Sequence, residues 1–148
     1  GGDYLNGGTE ADYMIGGLGN DAMAGGAGAD RLFGDQGADL YHGGTGNDIF
    51  YFRWVTDSGV ASGLRDTIRD FAAGDKIDLH YMDANQLVAG DQAFALDTNG
   101  NFATGEIAMV RSGTSLMLRL NTDADAAADM EFLLANRATN LVATDFVL

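Results

Sequence analysis

The chain of 148 residues contains no cysteine and no proline. Without cysteine it forms no disulfide and no thiolate metal site, and without proline it is neither a collagen nor a proline-rich linker. Its two histidines, His42 and His80, are far apart and in no spacing typical of a zinc site. No apolar run approaches the length of a membrane span, and the N-terminal GGDYLNGG is no signal peptide.

Basic residues are also scarce, with 8 Lys and Arg against 22 Asp and Glu and a formal net charge of −14. Such a surface repels nucleic acid phosphates and anionic membranes, so neither is an expected partner. A hydrophobic content of 46% argues against disorder. The acids therefore favour a folded chain that attracts cations.

Glycine is abundant, with 22 residues, and most of the early ones lie in a repeat. From Gly7 the chain reads as five nonapeptides: GGTEADYMI, GGLGNDAMA, GGAGADRLF, GDQGADLYH and GGTGNDIFY. The preceding GGDYLN fits the last six places of a sixth repeat. The sixth place is always acidic: Asp3, Asp12, Asp21, Asp30, Asp39 and Asp48. The eighth place is always large and apolar: Leu5, Met14, Met23, Leu32, Tyr41 and Phe50.

This repeat predicts a solenoid. Glycines allow the first six residues of each repeat to form a tight turn, and the last three then form a short strand with one side chain inward. Two turn-strand units complete one coil, and stacked coils bury a continuous apolar stripe between parallel sheets. Equivalent turns two repeats apart then lie above one another at the same edge.

Stacked turns place carboxylates close together, where they repel, beside backbone carbonyls that lack partners. A hard cation between the turns would neutralise the carboxylates and bind the carbonyls. Calcium accepts six to eight oxygens in tolerant geometry. Magnesium requires a tighter octahedron, and zinc prefers the nitrogen or sulfur that these turns lack. The alternative is a glycine-rich solenoid or a disordered tract whose acids are merely solvated.

The repeat resembles the RTX family of secreted bacterial proteins, in which calcium lies between one turn and the turn two repeats later. The resemblance implies that the earlier turn supplies its second- and fourth-place carbonyls and its Asp, and the later turn its first- and third-place carbonyls and its Asp. The implied full sites are Gly8, Glu10 and Asp12 with Gly25, Ala27 and Asp30; Gly17, Gly19 and Asp21 with Gly34, Gln36 and Asp39; and Gly26, Gly28 and Asp30 with Gly43, Thr45 and Asp48. The truncated first turn, Gly1 and Asp3, half-serves Gly16, Leu18 and Asp21, and the last full turn carries Gly44 and Gly46 at the second and fourth places. This pairing rule gives about four calcium ions or more.

Two turns depart from the repeat. Glu10 replaces a fourth-place glycine and Asp35 replaces a second-place glycine. Each keeps a carbonyl, but a residue other than glycine is strained if its φ is positive. We therefore expect these two turns to be the weaker ones.

After Tyr51 the period stops, and DIFYF, TDS and DTIRDFAAGDKIDL follow. These segments resemble the C-terminal region of serralysin-type metalloproteases and the repeat modules of mannuronan epimerases. The resemblance implies that Asp57 and Asp66 help to close the last calcium sites. An ordinary Asp-Ser turn is the alternative for Asp57.

The rest of the chain predicts a capping region. DTIRDF and KIDLHYM alternate like half-buried strands, and GEIAMVR and TSLMLRLN read as a hairpin. Residues 83–96 predict a short helical turn with Asp83 as N-cap. NTDADAAAD at 121–129 has oxygens spaced as in a calcium loop but lacks the EF-hand glycine and glutamate, which favours a solvated loop. We expect an all-β fold in which a right-handed parallel β-roll over 1–51 continues into a β-rich cap with hairpins over 52–148, as one domain.

No catalytic constellation is found, so we expect a non-catalytic domain. The C-terminal TDFVL resembles the end of serralysins and of other type I secretion substrates. The resemblance implies a secreted bacterial protein, monomeric, whose C-terminus meets the type I secretion machinery and whose repeats fold on extracellular calcium. Two other functions remain open: an alginate-like carbohydrate-binding module, and a structural module of an adhesin or surface layer.

Overall fold

The computed structural model describes residues 1–137 and 139–148, and in these residues nearly all regular structure is β-strand. The strands are β1 (Tyr4–Gly8), β2 (Tyr13–Leu18), β3 (Ala22–Ala27), β4 (Arg31–Gln36), β5 (Leu40–Thr45), β6 (Ile49–Tyr51), β7 (Asp66–Ile68), β8 (Lys76–Asp78), β9 (Ala95–Leu96), β10 (Glu106–Ser112), β11 (Ser115–Leu120), β12 (Met130–Leu134) and β13 (Phe146–Val147). One 3₁₀ turn covers Ala143–Asp145. Within the described residues, no helix is long and apolar enough to cross a membrane.

The repeats form two parallel ladders, because successive strands alternate between two sheets. One sheet contains β1, β3, β5 and β7 in order, and the other contains β2, β4, β6 and β8. In the first ladder Leu5 pairs with Met23, Met23 with Tyr41, and Tyr41 with Ile68. Each coil therefore consists of two nonapeptides, and the predicted parallel β-roll is confirmed.

The strands are longer than the sequence predicted. We expected the first six residues of each repeat to form a turn, but β3 continues from the seventh place of one repeat to the third place of the next. The ladder survives the glycine pair because second-place Gly8, Gly26 and Gly44 pair with one another. Each has a positive φ, between 99° and 113°, that a glycine tolerates.

The eighth-place side chains form the core between the two sheets. Leu32, Tyr41 and Phe50 are fully buried, and full burial of one such side chain is worth roughly 1.5–3 kcal/mol. The apolar stripe continues into the C-terminal half, where the rings of Phe52 and Phe132 stack with centroids 4.5 Å apart. One hydrophobic core thus runs from the roll into the cap.

The cap extends both sheets of the roll. Strand β12 pairs in parallel with β7 and is followed across the sheet by β11, β10 and β9, while β13 pairs with β8. The predicted hairpin is present, with Gly113 at φ 62° between β10 and β11. The division at residues 51 and 52 stays a prediction, since β7 and β8 continue the ladders of the roll.

The helical turn predicted over 83–96 is wrong. This segment consists of turns and bends followed by β9. The Asp83 carboxylate accepts the backbone N–H of Asn85 at 3.0 Å and that of Gln92 at 3.3 Å. A carboxylate that binds N–H groups two and nine residues further along closes a loop and does not start a helix.

Candidate metal centre

The repeat aspartates form a ladder at each edge of the roll. The backbone N–H of each Asp donates to Oδ1 of the Asp one coil further along, at 2.7–3.0 Å. The pairs are Asp3 with Asp21, Asp12 with Asp30, Asp21 with Asp39 and Asp30 with Asp48. The fixed register of the nonapeptide therefore stacks these carboxylates in columns.

The second carboxylate oxygen of five repeat aspartates has no partner among the described residues. The buried Oδ2 atoms of five aspartates accept no hydrogen bond from the described residues: Asp12, Asp21, Asp30, Asp39 and Asp48. Four of these residues, from Asp21 onwards, are at most 1% exposed. A buried carboxylate without a partner or countercharge is costly, so this column of oxygens fits a cation.

Backbone carbonyls converge on the same oxygens. A Cβ placed on Gly25 would lie 2.3 Å from Asp30 Oδ2 and 2.7 Å from the Gly43 carbonyl oxygen. The same point at Gly7 is 2.5 Å from Asp12 Oδ2 and 2.6 Å from the Gly25 carbonyl oxygen. The first place must therefore be glycine, because a side chain would fill the gap between carboxylate and carbonyl. These are pairs that the sequence assigned to one ion.

The second- and fourth-place carbonyls point at the next coil. A Cβ on Gly26 would stand 2.1 Å from the Gly8 carbonyl oxygen, and one on Gly46 would stand 1.7 Å from that of Gly28. Glycine in the next coil permits this close approach. These predicted ligand carbonyls thus lie in the space between stacked turns.

Some of the predicted third-place carbonyls already accept hydrogen bonds. The Gln36 carbonyl accepts the Gly19 N–H at 2.9 Å, and that of Thr45 accepts the Gly28 N–H at 2.9 Å. A carbonyl oxygen has a second lone pair, so one hydrogen bond does not prevent metal binding. In the truncated first turn, the N-terminal ammonium of Gly1 donates to the Leu18 carbonyl at 2.7 Å. The Leu18 carbonyl of this half-site therefore already accepts one hydrogen bond.

The two departures from the repeat behave differently. Asp35 has a φ of 63°, in the positive range shared by the second-place glycines, so the expected strain is present there. Its carboxylate forms an ion pair with Arg53. Glu10 has no positive φ, whereas fourth-place Gly19 and Gly28 have φ values of 118° and 135°. The turn at Glu10 thus avoids the strain by taking another backbone conformation.

The aspartate ladder continues beyond the repeats. The Asp39 N–H donates to Asp66 Oδ1 at 2.8 Å, and the Asp48 N–H donates to Asp75 Oδ1 at 3.0 Å. Sequence analysis assigned Asp66 but missed Asp75. The glycine repeat stops after Tyr51, but Asp57, Asp66 and Asp75 continue the nine-residue spacing from Asp48, and this spacing is the signal for Asp75.

Asp57 lies near the end of the first ladder. Its Oδ2 accepts the N–H groups of Arg53 and Trp54 at 2.7 and 3.0 Å, and its buried Oδ1 has no described partner. Burial raises the pKa of Asp66 to about 8, and repulsion from Asp39 and Asp57 adds to the shift. The three carboxylates are therefore close enough to repel, and Asp57 also forms the turn of the alternative interpretation. The role of Asp57 and Asp66 as calcium ligands stays a prediction.

The pKa of Asp39 is raised for the same reasons as that of Asp66. Burial raises it to about 6, with further repulsion from neighbouring aspartates. The charged form is therefore disfavoured unless a cation lies in the gap. In the described part of the chain, no three His, Cys, Asp or Glu side chains are grouped to hold a metal by themselves. Any ion between these turns needs the backbone carbonyls as well.

The tyrosine at the eighth place of the fourth repeat closes the first ladder. A Cβ on Gly34 would lie 2.2 Å from Asp39 Oδ2 and 2.3 Å from the Tyr41 hydroxyl, where earlier coils present a carbonyl. The hydroxyl donates to Asp66 Oδ2 at 3.2 Å and accepts the Gly34 N–H at 3.1 Å. Both Asp66 oxygens therefore have protein partners, unlike those of the repeat aspartates.

The acidic loop at 121–129 binds its own backbone. Asn121, Asp123 and Asp125 each accept the N–H two residues further along, at 2.7–3.1 Å. Asp129 Oδ2 accepts the N–H and the hydroxyl of Thr122. These contacts fit the loop interpretation favoured by the sequence, and the question of calcium there stays a prediction.

Comparison with known proteins agrees with this architecture. The family described as Peptidase M10 serralysin C terminal matches residues 6–148. The solution structure of the AlgE6R2 subunit of the Azotobacter vinelandii mannuronan C5-epimerase has a TM-score of 0.73 at 29% identity, covering 99% of this chain and 89% of that one. The AlgE6R3 subunit has a TM-score of 0.70 at 26% identity, covering 99% and 77%.

Among curated proteins, no sequence matches the chain. The family match covers all but the first five residues, and it confirms the resemblance to serralysin-type C-terminal regions that the middle segments predicted. The chain belongs to the Peptidase M10 serralysin C-terminal family.

Proposed function

We propose that this chain is a calcium-binding RTX-type domain whose roll folds when calcium enters the aspartate ladders. The observation that carries the proposal is the column of buried Oδ2 atoms that have no partner among the described residues. Those of Asp12, Asp21 and Asp30 each face a backbone carbonyl of the next coil. Calcium is the ion that best suits carboxylate and carbonyl oxygens in a site built mainly from backbone. The residues that would hold it are those implied by the repeat, together with Asp57 and Asp66.

Folding and binding are linked in this proposal. Without cations, the stacked carboxylates repel one another, and the net charge of −14 opposes a compact state. Extracellular calcium modules typically have dissociation constants of about 10⁻⁴–10⁻³ M. Each ion that binds only the folded chain stabilises it by RT ln(1+[L]/Kd). About four divalent ions would also cancel about eight of the excess negative charges.

The linkage suits export of an unfolded chain. Where free calcium is scarce, the repeats stay unfolded and can be threaded through the type I secretion machinery by way of the C-terminal segment. Outside the cell, millimolar calcium drives folding of the monomeric domain. Family membership supports this role, in which the domain itself is non-catalytic and serves a larger secreted protein.

A calcium titration of chelator-treated protein tests the proposal. Far-UV circular dichroism is followed while calcium is added, with magnesium as the control ion. We expect a cooperative gain of β signal with calcium at about 10⁻⁴–10⁻³ M and little change with magnesium. A β-rich signal already present in chelator and unchanged by calcium would refute calcium-driven folding.

A further inference from the structure

A stripe of aromatic side chains crosses the outer face of the sheet that contains β2, β4 and β6. The ring of Phe33 lies between those of Tyr13 and Tyr51, with centroid distances of 4.9 and 4.2 Å. Phe33 is 5% exposed, whereas Tyr13 is 62% exposed. These side chains point away from the core, because the alternate residues Met14, Leu32 and Phe50 point into it. The stripe plays no part in the aspartate ladders.

The stripe forms the floor of an open cleft of about 530 Å³. Its walls are aromatic or basic: Tyr13, Arg31, Tyr51, Arg53, Trp54 and Tyr81. Of the described residues that line it, none is acidic, although acids outnumber bases 22 to 8 in the chain. A second cleft of about 550 Å³ shares Arg53, Trp54 and Tyr81 with it. We name the two together the aromatic groove.

Trp54 and Tyr81 stand on the ridge between the two clefts and are exposed. Trp54, the only tryptophan of the chain, is 64% exposed, and Tyr81 is 58% exposed. Large aromatic side chains on a surface at such exposure mark a binding site when they cluster around a cleft. Each of its two clefts has a volume within the range of about 300–1,000 Å³ that is usual for a small-ligand site, and the groove joins the two. It suits a short stretch of a chain-like ligand.

We propose that the aromatic groove binds a neutral oligosaccharide. A pyranose ring has an apolar face of C–H groups that packs on the negative face of an aromatic ring. Its edge carries hydroxyls that both donate and accept, which matches the phenol groups of Tyr13, Tyr51 and Tyr81. The guanidinium groups of Arg31 and Arg53 supply further donors to hydroxyl and ring oxygens.

The charges around the groove favour a neutral ligand. Arg53 is already paired with Asp35, which leaves Arg31 as the one lining base with no ion pair among the described residues. A single positive charge does not offset the long-range repulsion of a polyanion by a chain of net charge −14. A proline-rich peptide, which also packs on aromatic grooves, offers carbonyl acceptors but few donors for the phenol oxygens.

Hydrogen bonds within the loop that carries Trp54 fix its conformation. Asp57 Oδ2 accepts the N–H groups of Arg53 and Trp54, and the Trp54 carbonyl accepts the Asp57 N–H at 2.9 Å. The groove is therefore built on the same loop as a proposed calcium ligand. Glycan binding is nevertheless independent of the proposed folding switch. Its test is done in saturating calcium, where the chain is folded, so the result stands even if the chain also folds without calcium.

Fluorescence of Trp54 provides a direct test, because no other tryptophan contributes. Neutral hexaoses of β-1,4-glucose, β-1,3-glucose, xylose, mannose, N-acetylglucosamine and α-1,4-glucose are titrated into the folded chain at about 10⁻² M calcium. We expect a saturable blue shift with at least one of them. Arg31→Ala and Tyr81→Ala should each weaken that binding about tenfold, a typical effect for removing a stacking or hydrogen-bonding group.

Tyr4→Ala is the matched control. Tyr4 is a tyrosine at 72% exposure on β1, in the other sheet, so this variant should bind the same hexaose unchanged. Circular dichroism of each variant in calcium confirms that the roll is folded.

Three results would overturn the proposal. The first is the absence of a saturable response to any of the six hexaoses. The second is tighter, salt-sensitive binding of a hexuronate or tighter binding of a proline-rich peptide. The third is a dimer in sedimentation that Tyr81→Ala dissociates, which would make the groove an interface between copies.

Discussion

The stacked-turn arrangement predicts that Asp30 contributes far more than Asp3 to the free energy of unfolding in calcium, although both occupy the sixth place of a repeat. Asp30 has a coil on either side, because its Oδ1 accepts the Asp12 N–H and its own N–H donates to Asp48. Asp3 is exposed, and in the described part of the chain its N–H donates to Asp21 of the next coil with no coil before it. Under the proposed pairing Asp30 serves two ions and Asp3 serves one half-site.

The expected magnitudes follow from linkage. At about 10⁻² M calcium and a dissociation constant of about 10⁻⁴ M, each ion stabilises the fold by about 2.7 kcal/mol. Asp30→Ala should therefore lower the free energy of unfolding by about 5 kcal/mol through two lost sites. The Asp12 N–H left without its acceptor adds about 1 kcal/mol. Asp3→Ala should cost about 0.5 kcal/mol, as at an exposed position, plus part of one site.

Urea denaturation in calcium, followed by far-UV circular dichroism, measures both variants against the parent chain. Asp30→Asn separates the two terms, because the amide oxygen keeps the hydrogen bond to Asp12 but loses the charge that binds calcium. It should lose nearly as much calcium stabilisation as the alanine variant. Equal losses for Asp30→Ala and Asp3→Ala would refute the stacked-turn model.

Two further substitutions test the ends and the spacing of the ladders. Tyr41→Phe removes the hydroxyl that bridges Gly34 and Asp66, so two buried groups lose their partner. The free energy of unfolding, measured by urea denaturation, should fall by about 1–3 kcal/mol. No loss would show that the hydroxyl does not close the ladder. Gly25→Ala places a Cβ 2.3 Å from Asp30 Oδ2 without requiring a positive φ, so it should raise the calcium midpoint of folding severalfold. Val88→Ala, at a cap position whose side chain is 52% exposed and lies outside the ladders, is the control and should leave that midpoint unchanged.

The roll could be predicted because each of its structural features is set by one fixed place in the nine-residue repeat. The eighth-place residues specify the buried stripe, and the sixth-place acids specify the edges, so the register of Met14 with Leu32 and Phe50 follows from the spacing. The extent of the strands was not predictable from glycine content. Glycines that suggest a turn in isolation also let neighbouring backbones approach, and in the stack they continue the ladder.

The cap was less predictable because its contacts are not periodic. The sequence at Asp83 is typical of a helix N-terminus, but the backbone N–H of Gln92, nine residues further along, also donates to the Asp83 carboxylate. The aromatic groove assembles Tyr13 from strand β2 with Trp54 and Tyr81 from two later loops, and only the folded structure brings them together. The sequence analysis assigned no role to these three side chains, because they share neither a repeat position nor a segment of the chain.

The end of the aspartate ladders explains why the roll needs this cap. A regular coil leaves one oxygen of each Asp without a protein partner, so every added turn requires another ion or another acceptor. In the last turns the protein itself supplies these partners: the Tyr41 hydroxyl binds Asp66, and the Ala72 N–H donates to Asp75 at 2.8 Å. At the end of the ladder, protein hydrogen bonds therefore support the carboxylates alongside the proposed cation, and strands β12 and β13 cover the two exposed sheet edges beyond it.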